Sequence, residues 1–412
     1  RFLGTRTTPV DLRQDRNQYG LQLSQLLPFG TSLTANATMS GTTSNLYVAQ
    51  ASGAVGLTIT QPLLQGFGFG ANLADLRKAN LDADITRAEL KAVAEEVAAQ
   101  VETGYWAIYL ADQEVAIQKK SVDLAEQQLR ESLERVKVGS LPELELATVH
   151  AELATRREAL IDAQSGYEQA RLRFLYLLNP GDPAGWNLMP LPTERPFIPT
   201  DSLDSVSEHV ELGMRFRSDL NQARFALSKG AIDVVQTRNG LLPKLDLIVT
   251  LSRTTYAKAI NDAYPEIDSP FRDQIVGVNL LFPLTERKPI AQYNRAKRTR
   301  DQLEQSVANL ERMAQFDIRS AHIEVLRTRQ QINATRVSRE LQERKLDAEH
   351  EKFRVGKSTN YLVLQAQRDF TASQRDEARS MVSYLEALVN LYLMEGTLLE
   401  RKIGRASCRE RV

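Results

Sequence analysis

Two regions of the chain alternate between apolar and polar residues with a period of two, the pattern of a β-strand with one apolar and one polar face. The first region contains residues 31–40 and 54–60, and the second contains residues 244–251 and 276–282. We therefore predict two strands in each region, four in all, with the run Tyr19–Ser24 extending the first hairpin. The apolar positions are Leu33, Ala35, Ala37 and Met39; Val55, Leu57 and Ile59; Leu245, Leu247, Val249 and Leu251; and Val276, Val278, Leu280 and Phe282.

Each pair of strands is followed by a long stretch with helical periodicity. The first, about residues 71–137, contains no proline and a single glycine, Gly104. Apolar residues recur every seven positions in both regions, which imposes a left-handed supercoil on packed helices. At about 1.5 Å per residue such a helix is on the order of 100 Å long, more than a compact globule can use. The repeating positions are Val101, Ile108, Val115, Val122, Leu129 and Val136, and then Ile318, Val325, Ile332, Leu346 and Phe353, interrupted only by Arg339.

Both long helices stop at the same dipeptide, Val138-Gly139 in the first region and Val355-Gly356 in the second. A glycine there supplies the left-handed conformation that commonly ends a helix, and a proline, serine or threonine shortly afterwards opens the next one. The segments that follow, about residues 143–178 and 360–399, are predicted to be helices that return beside the first. Each region thus forms one helical hairpin.

The two regions are copies of one unit. A constant shift of 217 places residues 71–179 on residues 288–396, and it superimposes Ser121 on Ser338 and Tyr167 on Tyr384. A repeat of this length indicates a pseudo-symmetric molecule rather than a stack of small modules. The strand motif Gly56–Leu63 aligns with Gly277–Leu284 at a shift of 221, so the first copy has four extra residues at its strand-to-helix joint.

Prolines separate the two copies. Six of them fall between Pro180 and Pro199, a segment that neither a helix nor a central strand would tolerate. A helix then leads from about Ser202 to Asn239-Gly240 and delivers the chain into the second pair of strands. We assign residues 1–179 to the first structural repeat (strands about 18–64, helices about 71–178), 180–202 to the linker, and 203–400 to the second repeat (helix about 203–238, strands about 244–284, helices about 287–399).

Charge and residue content argue against several classes of function. Lys+Arg and Asp+Glu are equal at 52 each, so no excess of positive charge points to nucleic acid as a partner. The histidines are scattered without ligand spacing and are interpreted as dispersed surface residues, so neither a metal nor another cofactor is predicted. These histidines are His150, His209, His322 and His350.

The last ten residues, Ile403–Val412, are excluded from the fold prediction. They contain the only cysteine, Cys408, and Gly404–Val412 matches the translation of a common sequencing-library adapter. The remaining chain has no cysteine, which permits export to an oxidising compartment. The first residue is Arg1 and no signal-peptide pattern follows it, so we expect a fragment that is cut at both ends.

No arrangement of residues predicts catalysis. Gly66, Gly68 and Gly70 lie between a strand and a helix, the setting of a dinucleotide-binding loop, but the spacing is GxGxG and the helix is several times too long. A joint at which a strand tilts into a helix explains these glycines better. Carboxylate pairs such as Glu143 and Glu145 are typical of a solvated helix. We predict that the protein is not an enzyme.

Membrane insertion through strands remains open, because the chain has no run of 18 apolar residues but does have amphipathic strands. Four strands cannot close a barrel, since the smallest membrane barrels need about eight, and open edges are excluded from lipid. Three chains would supply twelve strands and, from four long helical segments each, a wall of twelve helices. A closed trimer satisfies both requirements.

Four local motifs follow one another along the chain: the joint Gln61-Pro-Leu-Leu-Gln-Gly-Phe-Gly68, the segment Arg217-Ser-Asp-Leu220, the strand entry Leu241-Leu-Pro-Lys-Leu-Asp-Leu247 and the paired Val-Gly turns. In these motifs and their order the sequence resembles the TolC-like outer-membrane efflux proteins, and the resemblance covers about residues 17–400. It implies a mainly α-helical fold with membrane strands, a homotrimer in which a 12-strand β-barrel continues into a 12-helix α-barrel.

The same resemblance implies location and partners. The protein would be the exit duct of a tripartite efflux or type I secretion system in the outer membrane of a Gram-negative-type bacterium, with a long periplasmic portion. It would be a passive conduit, surrounded by outer-membrane lipid and opened by a periplasmic adaptor that couples it to an inner-membrane pump or ABC exporter. Two alternatives stay open: a periplasmic adaptor protein, which carries one hairpin between small β-rich modules, and a soluble coiled-coil scaffold.

The resemblance also places candidate site residues. The two Val-Gly turns would form the periplasmic tip and contact the adaptor, although each glycine could equally serve only to end its helix. The tip residues are Arg135, Val138, Gly139, Ser140 and Leu141, together with Arg354, Val355, Gly356, Lys357 and Ser358.

A gate is expected just after the second turn, where some family members carry rings of aspartate. Here Leu362 and Gln365 occupy those positions, so a carboxylate ring is absent, and Arg368 and Asp369 one turn further on are candidates for inter-helix pairs that hold the tip closed. The candidate gate is thus Gln365, Arg368 and Asp369. Phe67, Phe69, Phe271 and Phe282 lie near strand ends, where they form either an interfacial aromatic girdle or ordinary packing.

Overall fold

A computed structural model of the chain describes residues 11–197, 203–265, 268, 270–282 and 287–400. The end of the predicted linker, the start of the chain and the excluded tail with Cys408 lie outside these residues. The described residues fall into two compact units, one within Arg1–Ile85 and Ala223–Val307 and the other within Thr86–Gln222 and Ala308–Val412. Because this division follows contacts and not sequence similarity, the division into repeats and linker remains a prediction.

The first unit contains one antiparallel sheet in which the strands follow one another in chain order. The sheet has five strands and not four, because the run around Tyr19 is a strand of its own instead of an extension of the first hairpin. It pairs along its whole length with the next strand, from Gln14 opposite Ser44 to Leu26 opposite Ser32. The strands are β1 (Gln14–Leu26), β2 (Ser32–Ser44), β3 (Gln50–Pro62), β4 (Lys244–Ala257) and β5 (Phe271–Leu281).

The register confirms the predicted alternation. Leu33 lies opposite Ile59, Ile59 opposite Val249, and Val249 opposite Val276, so the predicted apolar positions of four strands share one face. Strand β1 continues this face, because its Tyr19, Leu21 and Leu23 lie opposite Met39, Ala37 and Ala35. Threonine, serine and asparagine dominate the other face of β2 and β3.

The joint after β3 is built from glycines and one asparagine. Gly66 and Gly68 have φ angles of 85° and 96°, which residues with a side chain rarely adopt. The side-chain amide of Asn72 donates to the carbonyl oxygens of Gly66 at 2.6 Å and Gly68 at 2.9 Å. The backbone N–H of Gly66 donates to Oδ1 of Asn239 at 2.8 Å. These bonds turn the chain from the strand into the helix.

Helices account for most of the other described residues. The predicted helix over about 203–238 is two helices, because Arg217 adopts an extended backbone between them and its guanidinium bonds to Asp219 at 2.9 Å and to Asp317 at 2.8 Å. The helices are α1 (Phe69–Asn72), α2 (Ala74–Lys137), α3 (Leu144–Leu178), α4 (Val206–Phe216), α5 (Ser218–Asn239), α6 (Arg287–Arg354) and α7 (Asn360–Glu395). None of those within the described ranges is both long and apolar enough to cross a membrane.

The second unit has an apolar seam formed by α6 and α7, as the seven-residue repeat predicts. Its fully or nearly buried members are Ile318, Ala321, Val325, Ile332, Tyr384, Ala387, Leu388 and Leu391. Arg339, which interrupts the repeat, is half-buried and forms an ion pair with Glu377 of α7 at 2.7 Å. The interruption is therefore a polar contact between the same two helices.

One histidine departs from the expectation of dispersed surface residues. His209 of α4 is fully buried, and its Nδ1 is hydrogen-bonded to the buried carboxylate of Glu395 at the end of α7. Its ring centroid is 5.5 Å from that of His322. The pairing satisfies two buried polar groups and ties the two helices together. No cluster of three or more possible metal ligands occurs in the described part of the chain.

Candidate functional site

The first Val-Gly turn ends α2 with a double hydrogen bond. The N–H of Gly139 donates to the carbonyl of Val136 at 3.0 Å, and that of Ser140 donates to the carbonyl of Arg135 at 2.9 Å. Gly139 has a φ angle of 75°, the left-handed value that this pattern requires. The sequence therefore folds locally as predicted, because only glycine adopts that conformation without strain.

The second turn repeats this geometry after α6. The N–H of Gly356 donates to the carbonyl of Phe353 at 3.1 Å, and that of Lys357 donates to the carbonyl of Lys352 at 2.7 Å. The φ angle of Gly356 is also 75°. The hydroxyl of Ser358 donates to Glu349 at 2.7 Å, and the hydrogen bonds from Lys352 and then from Ser358 hold the pKa of Glu349 below its usual value.

Arg135 joins the two turns. Its Nη1 donates to the carbonyl oxygen of Phe353 at 3.1 Å, and its guanidinium carbon lies 4.1 Å from the centroid of the Phe353 ring. The contact combines a charge-assisted hydrogen bond with a cation–π interaction. It also sets a positive charge against the carboxyl end of α6, where helix carbonyls carry partial negative charge. The structure thus brings the two predicted tip segments together.

The tip offers exposed apolar groups. Val138 is 77% exposed and Val355 is 63% exposed, while Gly139, Ser140, Arg354, Gly356 and Lys357 are also exposed. Leu141, Ser358 and Arg135 are partly buried. No side chain or backbone atom lies within 4 Å of the position that a Cβ would take at either glycine. Another chain could therefore approach both turns closely.

A buried polar layer lies behind the tip. Nε2 of Gln128 donates to Oδ1 of Asn360 at 2.7 Å, and both side chains are almost fully buried. Gln128 also lines a cavity of about 320 Å³. Its lining is mostly polar: Leu124, Gln127, Gln128, Glu131, Asp347, His350, Glu351 and Gln367.

The candidate gate residues take part in ion pairs between helices. Arg368 of α7 lies 3.8 Å from the carboxylate of Glu152 on α3, and Asp369 lies 2.8 Å from Nζ of Lys345 on α6. Glu152 also pairs with the buried Arg156 at 2.9 Å. Gln365 is exposed. The inter-helix pairs expected at Arg368 and Asp369 are therefore present within one chain.

Burial shifts the pKa of Arg156, which lies beside the candidate gate. Desolvation lowers the pKa of the Arg156 guanidinium below its ordinary value, while Glu152 acts in the opposite direction. Nη1 of Arg156 donates to the hydroxyl of Ser121 on α2. Arg156 thus connects α2 with α3.

Three residues of α2 form a polar stripe that the sequence analysis only partly identified. Ser121, Gln128 and Arg135 are spaced by seven residues, directly beside the apolar stripe of Val122, Leu129 and Val136. Each contacts a different helix: Ser121 contacts α3, Gln128 contacts α7 and Arg135 contacts α6. The seven-residue spacing of polar side chains next to an apolar seam was the signal that could have identified all three.

Long helices that end in paired glycine turns and an amphipathic antiparallel sheet are features that the resemblance to the TolC-like proteins implies, and comparison with known proteins agrees. The profile of the outer membrane efflux protein family matches residues 7–179 and 215–397. The chain therefore belongs to the outer membrane efflux protein family. A comparison with curated protein sequences gives no match.

Solved structures of several bacterial proteins share the fold. The VceC outer membrane protein of Vibrio cholerae has a TM-score of 0.70 and 16% identity, over 93% of this chain and 87% of that one. The open MtrE outer membrane channel of Neisseria gonorrhoeae has a TM-score of 0.69 and 16% identity, over 94% and 81%. The CmeC outer membrane channel of Campylobacter jejuni has a TM-score of 0.68 and 17% identity, over 94% and 78%.

These findings confirm the predicted fold class and role. The protein is an outer-membrane efflux protein, and it has the fold of solved outer-membrane channels. The comparisons give no support to the adaptor or scaffold alternatives. The family is one of transport proteins.

We expect the substitution Arg135→Ala to loosen the contact between the two turns. The loss of the hydrogen bond and the ring contact removes about 1–2 kcal/mol of local stability. Amide hydrogen exchange of residues 353–357 then accelerates roughly tenfold, as that free energy implies.

Arg354→Ala serves as the control, because Arg354 is exposed and pairs only with Glu351 of its own helix at 2.8 Å. Exchange that is equally fast in both variants, or unchanged in Arg135→Ala, would contradict the role assigned to Arg135.

Proposed function

We propose that three copies of the chain assemble into the closed exit duct of a tripartite efflux or type I secretion system. The observation that carries this proposal is the amphipathic sheet of the first unit, whose two outer strands expose their apolar side chains. Leu21 and Leu23 of β1 are 79% and 74% exposed, and Val276 of β5 is 73% exposed. Such strands are stable in a lipid bilayer only when both edges are paired.

One chain cannot form that wall by itself. Five strands are fewer than the roughly eight that the smallest membrane barrels use. Several copies must therefore share the wall, and a homotrimer is what the resemblance to the TolC-like proteins implies. The long helices would form the periplasmic portion of each copy. The duct acts passively and catalyses no reaction.

Exposed aromatic residues support contact with outer-membrane lipid. Phe67, Phe69, Phe271 and Phe282 are each more than half exposed in the single chain. Phe69 contacts Phe29 and Phe271 contacts Tyr256, both in edge-to-face geometry. Exposed aromatic rings at the ends of membrane strands typically lie at the boundary between lipid and water.

The paired glycine turns are proposed as the contact for the periplasmic adaptor, which couples the duct to an inner-membrane pump or ABC exporter. Support comes from the exposed Val138 and Val355 on two turns of equal geometry. Arg135 fixes the spacing between them. The side chains of Val138 and Val355 are small, apolar and held at a fixed distance, so a partner with two matching shallow apolar grooves could bind them.

Just behind the tip, the pairs of Arg368 with Glu152 and of Lys345 with Asp369 are proposed to hold α7 against α3 and α6 in the resting duct. These pairs are partly exposed, so each contributes little stability alone. An adaptor that binds the tip could therefore separate them at small cost.

A measurement of the oligomeric state tests the proposed duct. We expect the detergent-extracted protein, with residues 403–412 removed and any missing N-terminal segment restored, to have the mass of a trimer. Multi-angle light scattering with subtraction of the detergent mass gives this number. A monomer that stays soluble without detergent would contradict the duct.

We expect Val138→Asp and Val355→Asp to weaken adaptor binding about tenfold each, because a carboxylate must lose its hydration in an apolar contact. Surface plasmon resonance with immobilised adaptor measures the affinity, and export assays measure the consequence.

Leu191→Asp is the matched control, since Leu191 is 79% exposed and lies away from both turns in sequence. A bulky substitution at Gly356 adds a second probe of the same surface. The tip assignment fails if the trimer, the adaptor affinity and transport all survive these changes.

Neutralising the gate pairs should open the resting duct. We expect Arg368→Ala combined with Asp369→Ala to raise single-channel conductance in planar bilayers severalfold, because both inter-helix pairs are lost. The control is Arg327→Ala with Glu324→Ala, a pair at 2.5 Å within α6 alone. Unchanged conductance in the Arg368/Asp369 variant would remove these residues from the gate.

A further inference from the structure

Two arginines lie directly opposite each other on neighbouring strands of the sheet. Arg253 of β4 is the register partner of Arg272 of β5. Side chains in such a pair lie on the same face of the sheet, with Cβ atoms about 5 Å apart, and like charges at this distance destabilise the pairing. An anion held between the two guanidinium groups would offset that repulsion.

Both arginines belong to the face of the sheet that is otherwise apolar. Arg253 lies opposite Val55 of β3, and two positions nearer the helices Leu251 lies opposite Leu57. Residues two positions apart on a strand share one face, because successive side chains alternate between the two faces. The arginine pair therefore lies at the end of the apolar rows.

The arginine pair is in the half of the sheet away from the helices. Strand β3 ends at Pro62, where it enters the strand-to-helix joint, and β4 begins at Lys244, where it receives the chain from α5. Leu281, the last residue of β5, lies opposite Lys244, whereas Arg272 is the second residue of that strand. In the proposed duct the long helices are periplasmic, so the arginine pair faces the outer leaflet of the membrane.

A groove of about 440 Å³ connects the arginine pair with the apolar rows. Ala35, Val55, Leu57 and Leu251 line its apolar part, and both arginines line its outer end. Leu57 is 40% exposed and Leu251 is 46% exposed, so the apolar part is open along its length. A ligand that combines an anionic group with an apolar chain matches this arrangement.

The described part of the chain neutralises the arginine pair only weakly. Asp268 lies 3.6 Å from Nη1 of Arg253, but its side chain is fully exposed, so water and salt screen the attraction. Arg272 forms no ion pair with any other described residue. Asp273 also lines the groove, but strand alternation places its side chain on the opposite face from Arg272. Charge complementarity therefore favours an anion from outside the chain.

We propose that Arg253 and Arg272 bind the phosphate group of an outer-leaflet lipid, with one acyl chain of that lipid in the groove over Leu57 and Leu251. The inference rests on the proposed duct, because there this face of the sheet contacts lipid. A guanidinium group binds phosphate through two parallel hydrogen bonds, which gives arginine an advantage over lysine. The phosphate lies where the apolar band of the sheet ends, at the level of the lipid headgroups.

Native mass spectrometry of the detergent-extracted protein tests the site. The delipidated protein is titrated with phosphatidylglycerol or with diacylglycerol of the same acyl chains, which lacks the phosphate. We expect phosphatidylglycerol to bind roughly tenfold more tightly or better, because hydrogen bonds to charged groups are the stronger kind. The double variant Arg253→Gln with Arg272→Gln should lose this preference, and added salt should reduce it in the wild type.

Arg16→Gln is the matched control. Arg16 lies opposite Thr42, in the same outer half of the sheet but on its polar face, so phosphatidylglycerol should bind this variant as it binds the wild type. Ala35→Phe tests the apolar part, because the larger side chain narrows the groove without a change of charge. We expect it to weaken phosphatidylglycerol binding severalfold, and the mass of the assembled protein reports that each variant has folded.

The outcomes separate this inference from the proposed duct. A trimer that binds both lipids equally, or whose phosphatidylglycerol binding is unchanged in the double variant, would overturn the lipid site and leave the duct intact. Inorganic phosphate that displaces phosphatidylglycerol at equal concentration would also overturn it, since the acyl chain would then contribute nothing. A protein that is not trimeric would overturn both proposals.

Discussion

The hydrogen-bonding requirement of sheet edges is the constraint on which this molecule depends. A strand edge in lipid has no water to satisfy its N–H and C=O groups, so every strand needs a partner on both sides. Among the residues that the structure describes, the sheet meets this requirement for β2, β3 and β4 within one chain and leaves the outer edges of β1 and β5 open. The amphipathic faces and the wall of the proposed duct are two answers to this requirement.

In the second unit, the kind of contact that holds the helices together changes along their length. The seam of Ile318, Val325 and Leu391 is apolar and fully buried, and each such side chain stabilises packing by about 1.5–3 kcal/mol. Towards the glycine turns the inter-helix contacts become polar, as in the Gln128–Asn360 pair and at Arg135. A typical hydrogen bond contributes only about 0.5–1.5 kcal/mol net, and its groups can exchange partners. The end of the hairpins is therefore better suited to rearrangement than the seam.

Sequence periodicity predicted most of the fold because each element has a local cause. Period-two alternation located the strands, and the glycines at 139 and 356 located both turns, since they alone allow the required backbone. The break at Arg217 could not be predicted, because it depends on Asp317 on another helix. The burial of His209 likewise depends on Glu395, 186 residues away in sequence. Contacts between distant segments leave no local pattern.

The candidate site shows the same division between local and distant causes. The tip residues could be named from the turns, but the role of Arg135 as the link between them required the position of Phe353 on α6. The alternation around Tyr19 indicated that strand β1 exists, but it did not indicate where the strand begins and ends. What distinguishes a short extension from a 13-residue strand is the β1–β2 turn held against Gly66 and Gly68. The four residues by which one repeat exceeds the other at the joint were the trace of that contact in the sequence. The unequal joint between the two predicted repeats thus accompanies the additional strand β1 in this chain.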